Sequence, residues 1–326
     1  MVVGSRGLHL VTGGAGFIGS NLVQALVERG DRVRVLDDLS TGRTENLAQF
    51  SSEQVQFMNG DVRDAATVLE AMRDVKAAFH QAAIPSVARS VKDPRATHMA
   101  NVTGTLNVLM AARDEHVERV VFASSSSVYG NAERMPVSED LPTHPLSPYG
   151  VSKLAGEAYA SAFHHSFGLA TVSLRYFNVF GPNQNPTAEY AAVVPRFISA
   201  TMDDEPATIY GDGEQARDFT FVGDVVAANL LAAEAGEKAL GKVINVAYNG
   251  RHSVNDLLQT IQGLVPGDHL EPQREPPRVG EIRTSQADIS KAEEVLGYRP
   301  KFSFEEGLRM TVEWFAERAG PWAQRA

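Results

Sequence analysis

The sequence predicts an α/β protein, an open parallel sheet wound on both faces by helices, with a smaller α+β lobe attached. Three observations predict it. A strand-like run, Leu8-His9-Leu10-Val11-Thr12, passes directly into Gly13-Gly14-Ala15-Gly16-Phe17-Ile18-Gly19 and then into an amphipathic helix through Leu22, Leu26 and Val27. Short apolar and β-branched runs recur between helical stretches at 32–36, 55–58, 75–80, 120–123 and 243–246, the alternation that builds a parallel sheet. Pro182, Pro186 and Pro206 interrupt that alternation, so the chain is expected to leave the sheet there. The expected division is 1–178 plus about 216–250 for the sheet domain, and about 179–215 plus 251–326 for the second lobe.

A chain of 326 residues can bury a large core as one big unit or two domains. Its 30 basic and 40 acidic residues give a net charge of -10 without long runs, which argues against nucleic-acid or anionic-membrane partners. There is no cysteine, which excludes disulfides, thiolate metal sites and a cysteine nucleophile. No metal site is expected. The N-terminal residues lack a signal-peptide core and no apolar stretch approaches bilayer length, so a cytoplasmic protein is expected.

The first strand, its glycine turn and the helix start form a dinucleotide platform of the Rossmann type. Glycines let the backbone approach a pyrophosphate, and the helix N-terminus supplies N–H donors and a favourable dipole. Gly30-Asp31 ends the helix, Arg32 to Leu36 makes the second strand, and Asp37 closes it eighteen positions after Gly19. An acid there can bind ribose hydroxyls and repel a 2′-phosphate, which favours NAD over NADP; Arg43 in the next loop keeps NADP open. Val55 to Met58 reads as a third strand leading to Asp61-Val62, where the adenine edge would lie. Val75 to His80 reads as a fourth, ending in Gln81-Ala82-Ala83, small enough at the alanines to line a cofactor. His80 is read as a packed, hydrogen-bonded histidine without chemistry. Asn101 is expected to open a helix through Leu106, Leu109 and Ala112, where capping is the alternative role.

The fifth strand, Val120 to Ala123, runs into Ser124-Ser125-Ser126-Ser127-Val128-Tyr129-Gly130. A hydroxyl at the C-terminal end of a central strand faces the crevice where ligands bind in such sheets. Downstream, Tyr149-Gly150-Val151-Ser152-Lys153 places a phenol and an ammonium four positions apart, on one face if the segment is helical. A fixed cation favours the phenolate and would make tyrosine a usable base near neutral pH. A surface helix with a stray Tyr and Lys is the bland alternative for this pattern by itself.

Taken in order, these residues resemble the extended short-chain dehydrogenases/reductases that act on nucleotide sugars. Further matching elements are Arg175 to Pro182, Gly211-Asp212-Gly213 with Arg217-Asp218-Phe219, and Arg278-Val279-Gly280-Glu281, so the resemblance covers nearly the whole chain. It implies NAD held by Gly13, Gly16, Phe17, Ile18 and Gly19, by Asp37, Asp38, Ser40 and Gly42, and by Asp61 and Val62. Gln81, Ala82, Ala83, Asn101, Ser124, Tyr149, Lys153 and Tyr176 would complete that site. It also implies Ser125, Tyr149 and Lys153 as the catalytic set. Relatives resembling dehydratases carry an Asp-Glu pair after the hydroxyl and decarboxylases a Glu before Val-Tyr-Gly; this chain has Ser126 and Ser127. Asn178 resembles the neutral-hexose epimerases, where uronate enzymes tend to have Thr. The implied reaction is C4 epimerisation of UDP-hexoses through a 4-keto sugar, with NAD bound and recycled.

The substrate would meet Ser86, Ser125, Ser126 and Asn178, with Ala192 and Val193 after Tyr190 near the uracil and ribose, and Tyr210 stacking on the base. Arg217 and Arg278 suit the diphosphate because guanidinium forks match phosphate oxygens, and Glu281 belongs to the same loop as Arg278. Ser285 borders the sugar's C2 substituent by resemblance, and its small size implies that UDP-N-acetylglucosamine is accepted beside UDP-glucose. A UDP-glucuronate 4-epimerase, another NAD-dependent nucleotide-sugar enzyme, a simple dehydrogenase and a non-catalytic NAD scaffold are the competing readings. The resemblance further implies a homodimer through the helices near Asn101 and Tyr149, which Leu106, Leu109, Leu154 and Phe163 would permit or equally serve as core.

Overall fold

The computed structural model describes residues 7–132, 134–186, 191–277 and 283–322. The chain begins with β1 (Leu8–Thr12), α1 (Phe17–Glu28), β2 (Arg32–Asp37), β3 (Val55–Asn59), α2 (Ala65–Met72) and β4 (Ala77–His80). Two short helices, α3 (Val87–Lys92) and α4 (Pro94–His98), lead through a π-helical turn (Met99–Thr103) into α5 (Gly104–Asp114). Then follow β5 (Arg119–Ser125), the long α6 (Pro148–Phe167) and β6 (Thr171–Tyr176). Beyond it come β7 (Val179–Phe180), α7 (Val193–Met202), β8 (Thr208–Tyr210), β9 (Ala216–Arg217), β10 (Thr220–Phe221), α8 (Val222–Glu234) and β11 (Lys242–Val246). The chain closes with β12 (His252–Ser253), α9 (Val254–Leu264), β13 (Gln273–Glu275), α10 (Ser290–Leu296) and α11 (Phe304–Trp322).

Seven strands form one parallel sheet in the order β11-β6-β5-β4-β1-β2-β3. The order reverses between β1 and β4, and that switch point opens a crevice at the C-terminal strand ends. Helices cover both faces, so β4 and β6 are buried along their whole length. The expected doubly wound Rossmann-type α/β fold is therefore the observed one, and 243–246 does return to the sheet. The short pairs β7–β10, β9–β12 and β8–β13 lie outside the large sheet, β9 and β10 among them although they fall within the 216–250 stretch expected in the sheet domain.

Helix α6 shows how sequence places chemistry. Ser147 caps it, its hydroxyl accepting from Gly150 N at 3.1 Å, Pro148 occupies the first turn, and Gly168 ends it with φ +71°. Its buried stripe holds Gly150, Lys153, Gly156, Glu157, Ala160 and Phe163. Gly156 is required there, because a Cβ would lie 2.3 Å from the Phe122 ring. That close approach brings α6 down onto β5.

Two sequence expectations change. The fourth strand starts at Ala77 rather than Val75, because the chain is still turning there, with Val75 N bonded to Met72 O at 3.3 Å. Asn101 does not open or cap a helix: Asp93 caps α4, accepting from Ala96 N at 2.9 Å, and Asn101 sits inside the π turn. Leu109 and Phe163, read as permitting a dimer face or equally as core, are 1% and 6% exposed and take the second role.

Candidate active site

The crevice at the switch point is a cleft of about 380 Å³. Of the residues expected to hold a cofactor, it is lined by Gly13, Gly16, Phe17, Ile18 and Gly19, by Asp37, Asp38, Ser40, Asp61 and Val62, and by Gln81, Ala82, Ala83, Ser124, Tyr149, Lys153 and Tyr176. The glycine turn is sterically obligatory. Gly13 has φ +70°, and a Cβ on it would meet Ala82 N at 2.7 Å; a Cβ on Gly19 would meet Gly13 O at 2.1 Å. Asp37 is buried at the end of β2 and accepts from Ala15 N and Leu39 N, both at 2.9 Å. Burial holds its carboxyl above the ordinary aspartate range. A backbone cradle that side chains would fill and an acid at the ribose end fit a dinucleotide without a 2′-phosphate.

Two of the expected residues stand behind the cleft. Asn101 is buried; its amide accepts from Ile84 N at 2.8 Å and donates to Ser152 Oγ at 2.9 Å, fixing the loop after β4 to α6. Gly42 lies under Asp37, whose Oδ1 would be 2.8 Å from a Cβ there. His80, as expected, is packed and bonded on both ring nitrogens, to Thr12 at 2.7 Å and Thr105 at 2.9 Å. Burial pulls its pKa down to about 3.

Tyr149 and Lys153 share one face of α6, the ammonium 5.9 Å from the phenol ring centre. Lys153 donates to Ala123 O at 2.8 Å, and burial lowers its pKa to about 8 against the opposing pull of Glu157. The Tyr149 hydroxyl, by contrast, is held above its ordinary value, burial outweighing the hydrogen bond with Ser125. This corrects the expectation that the lysine drives the phenol down: at 5.9 Å from the ring the charge does not offset desolvation. Ser125 ends β5 and accepts from Ser127 N at 3.1 Å, and Ser126 begins the single turn that follows.

The substrate-side residues gather less tightly. Asn178, with φ +34°, donates to Asp218 O at 3.2 Å, Arg217 lies in β9, and Ser285 N donates to Ala216 O at 3.0 Å. Asp218, whose carbonyl accepts from Asn178, is fully buried, and its carboxylate accepts from Tyr248 N and Ala287 N at 3.1 Å each. Burial pushes its pKa up to about 6. Ser86 caps α3, accepting from Arg89 N at 3.1 Å. Ala192 and Val193 open α7, and Tyr210 ends β8 with the Arg196 guanidinium 6.0 Å over its ring. Tyr190, Arg278 and Glu281 lie outside the described residues.

Sequence reasoning missed Arg63 and Arg89, which line the cleft wall, Arg63 paired there with Asp61, and the buried residues Glu157 and Asn229. Asn229 binds the Tyr176 hydroxyl and Gln81 at 3.0 and 3.1 Å, fixing both against the cleft. Glu157 could have been found, since it lies one further turn beyond Lys153 in the Tyr149 row.

Fold and site define a dinucleotide-binding enzyme of the α/β class with a Tyr–Lys pair in the cleft. Residues 10–311 match the family model described as GDP-mannose 4,6 dehydratase, and the chain belongs to that family, within the extended short-chain dehydrogenases/reductases. It is 42% identical over 313 residues to a UDP-glucose 4-epimerase of Mycolicibacterium smegmatis, covering 95% of this chain and 99% of the relative. A solved UDP-N-acetylglucosamine 4-epimerase from Methanobrevibacter ruminantium, in complex with UDP-N-acetylmuramic acid, superposes with a TM-score of 0.91 at 39% identity, over 96% of this chain and 99% of that one. A Thermus thermophilus UDP-glucose 4-epimerase in complex with NAD gives 0.85 at 39% identity, over 95% and 99%.

Proposed function

We propose that this protein is an NAD-dependent UDP-sugar 4-epimerase acting on UDP-glucose/UDP-galactose and on the corresponding N-acetylated pair. The observation that carries the reading is that Tyr149 and Lys153 line the same cleft as the glycine turn and Asp37. The glycine turn and Asp37 would hold NAD in this cleft, where it would supply the hydride acceptor and donor for chemistry at C4 of the sugar. The chain's own residues handle the proton and the position. Tyr149, bonded to Ser125, accepts the proton of the 4-hydroxyl and gives it back after the keto sugar has turned; Lys153 stabilises the phenolate that is present before the first transfer and restored by the second. With Ser126 and Ser127 after Ser125, and no carboxylic acid there, elimination and decarboxylation lack an assisting group.

Roles on the substrate side follow from chemistry. Arg217, with Arg278 from beyond the described residues, takes the diphosphate, and Asn178 and Ser285 border the sugar. The 1–178 plus 216–250 portion serves the cofactor and the remainder the nucleotide sugar. A second copy of the chain would cover Val91, Met99, Met110, Val151 and Phe167, which expose apolar surface on α3, the π turn, α5 and α6; sedimentation of the purified protein distinguishes monomer from dimer. No helix among the described residues is long and apolar enough to cross a membrane.

The test is incubation of purified protein, without added NAD, with UDP-glucose and separately with UDP-N-acetylglucosamine. Galactose or N-acetylgalactosamine products support a recycled cofactor. Conversion only with added NAD, and with NADH accumulating, makes it a net dehydrogenase. Ser285→Tyr should spare the glucose reaction and suppress the acetylated one; equal loss on both removes Ser285 as the gate.

A further inference from the structure

Tyr149, Lys153 and Glu157 recur every four residues on α6, so the three side chains form one row down a single face of the helix. Glu157 ends the row in a pair with Arg175 of β6, whose Nε and Nη2 donate to its two carboxylate oxygens at 2.8 and 2.7 Å. Both side chains are buried, 4% and 5% exposed. Ser124, next to Ser125 at the end of β5, donates its hydroxyl to the same carboxylate. Arg175 in turn lies 4.6 Å over the Tyr129 ring, and the Tyr129 hydroxyl donates to Asn245 of β11 at 2.7 Å. One polar network therefore ties α6 to β5, β6 and β11 behind the Tyr–Lys pair.

A buried ion pair is weak evidence for stability, because desolvating two charges offsets most of their attraction. Apolar side chains of similar volume would hold β6 against α6 as well. What a carboxylate adds is attraction for the ammonium one turn away. Lys153 is 4% exposed, donates to the Ala123 carbonyl at 2.8 Å and rests 5.2 Å over the Phe122 ring. The titratable and charged groups facing it are Tyr149 and Glu157 from its own helix, His80 from β4, and Arg175 from β6 behind Glu157. His80, with a pKa of about 3, is neutral at working pH, so Glu157 is the negative charge opposing the desolvation of Lys153.

We propose that Glu157 and Arg175 are positioning residues: the carboxylate, fixed by the guanidinium and by Ser124, keeps Lys153 charged and aimed at Tyr149 and anchors the strand end that carries Ser125. This rests on the reading of Tyr149 and Lys153 as the proton-transfer pair. Neither Glu157 nor Arg175 lines the cleft. They act through Lys153 and Ser125.

The test uses holoenzyme carrying its bound cofactor, with UDP-glucose as substrate, and compares wild type, Lys153→Met, Glu157→Gln and the double variant Glu157→Gln/Arg175→Met. The double variant removes both buried charges together, so it is the one expected to retain the fold. The expected result is a shift of the alkaline limb of kcat to lower pH by about one unit in both Glu157 variants. KM for UDP-glucose and the NAD content should stay at wild-type values. An alkaline limb unmoved in a double variant with the wild-type melting temperature overturns the proposal. Loss of activity by one factor at every pH also overturns it, and so does failure of both variants to give soluble holoenzyme, since the pair would then serve folding alone. Wild type inactive on UDP-sugars, or Lys153→Met fully active, would instead sink the underlying reading of the site.

Discussion

Lys153→Met should make the protein more stable while disabling it. Burial takes the lysine from its ordinary 10.5 to about 8, which at about 1.4 kcal/mol per unit means roughly 3 kcal/mol of destabilisation of the folded state near neutral pH. Methionine fills a similar volume without charge, but it forfeits the 2.8 Å hydrogen bond to Ala123 O, a loss of about 1 kcal/mol. The net expectation is a gain of about 2 kcal/mol for the variant at pH 7. The pH dependence gives the sharper signature. Below pH 8 the lysine is protonated in both states and the full difference holds; between about 8 and 10.5 the folded state has released its proton while the unfolded chain retains it. Wild-type stability therefore climbs by about 1.4 kcal/mol per pH unit through that window, so the variant's advantage should vanish about one and a half units above pH 8 and turn into a deficit of about 1 kcal/mol, the lost hydrogen bond, near pH 10.5. Urea unfolding of cofactor-free protein across pH 7 to about 10.5 measures this directly, since bound ligand would add its own stabilisation. A variant less stable than wild type at pH 7, or a difference flat across the window, refutes the idea that desolvation of Lys153 dominates.

Tyr149→Phe should keep the cofactor and an unchanged KM for UDP-glucose while kcat falls by about 10²- to 10⁴-fold, the usual worth of a positioned proton acceptor; retained turnover would move the base elsewhere. Gly19→Ala puts a methyl 2.1 Å from Gly13 O, so NAD released by acid from the purified variant should fall from near-stoichiometric to trace, and an equimolar yield would contradict the cradle. Asp37→Asn removes the charge facing the ribose end. NADP should gain on NAD by about tenfold in competition binding. In wild type the same ratio should rise on acidification, starting at higher pH than an ordinary aspartate would give, because burial raises this carboxyl. Tyr298→Phe leaves the Ala247 carbonyl, now bonded at 2.9 Å, without its donor in a fully buried position; about 1–2 kcal/mol should be lost in urea unfolding with kcat intact. Altered turnover there would mean that the core reaches the site.

Much of the sheet domain was legible because its signals are local. A strand, a glycine turn and a helix start follow one another within Leu8 to Glu28, and Asp37 falls where the second strand ends, so pattern and spacing carry the reading. The serine run after β5 and the four-residue spacing of Tyr149 and Lys153 were legible for the same reason. What local pattern could not give was environment. The spacing suggested that Lys153 lowers the phenol, but the sign depends on how dry the site is, and the desolvation of Tyr149 wins. Asn101 was misplaced because the π turn that carries it has no period of its own, and its partners Ile84 and Ser152 are distant in sequence. Asp218 escaped as a hub because it binds backbone N–H groups, which every residue has.

The same contrast explains why the lysine needs a partner at all. Closing β5 against α6 through Gly156 and Phe122 makes a dry floor for the cleft, and a dry floor strengthens every interaction at the reacting centre. It also discharges lysines. A helix that must keep an ammonium there needs a buried carboxylate within reach, and that carboxylate needs donors of its own. Arg175 supplies two and Ser124 a third, from the two strands adjoining the helix. Fold and chemistry meet at this point: the parallel order β4-β5-β6 brings those strand ends together under one turn of α6. A Tyr–Lys pair on a solvated helix would have the same spacing in sequence and none of this support.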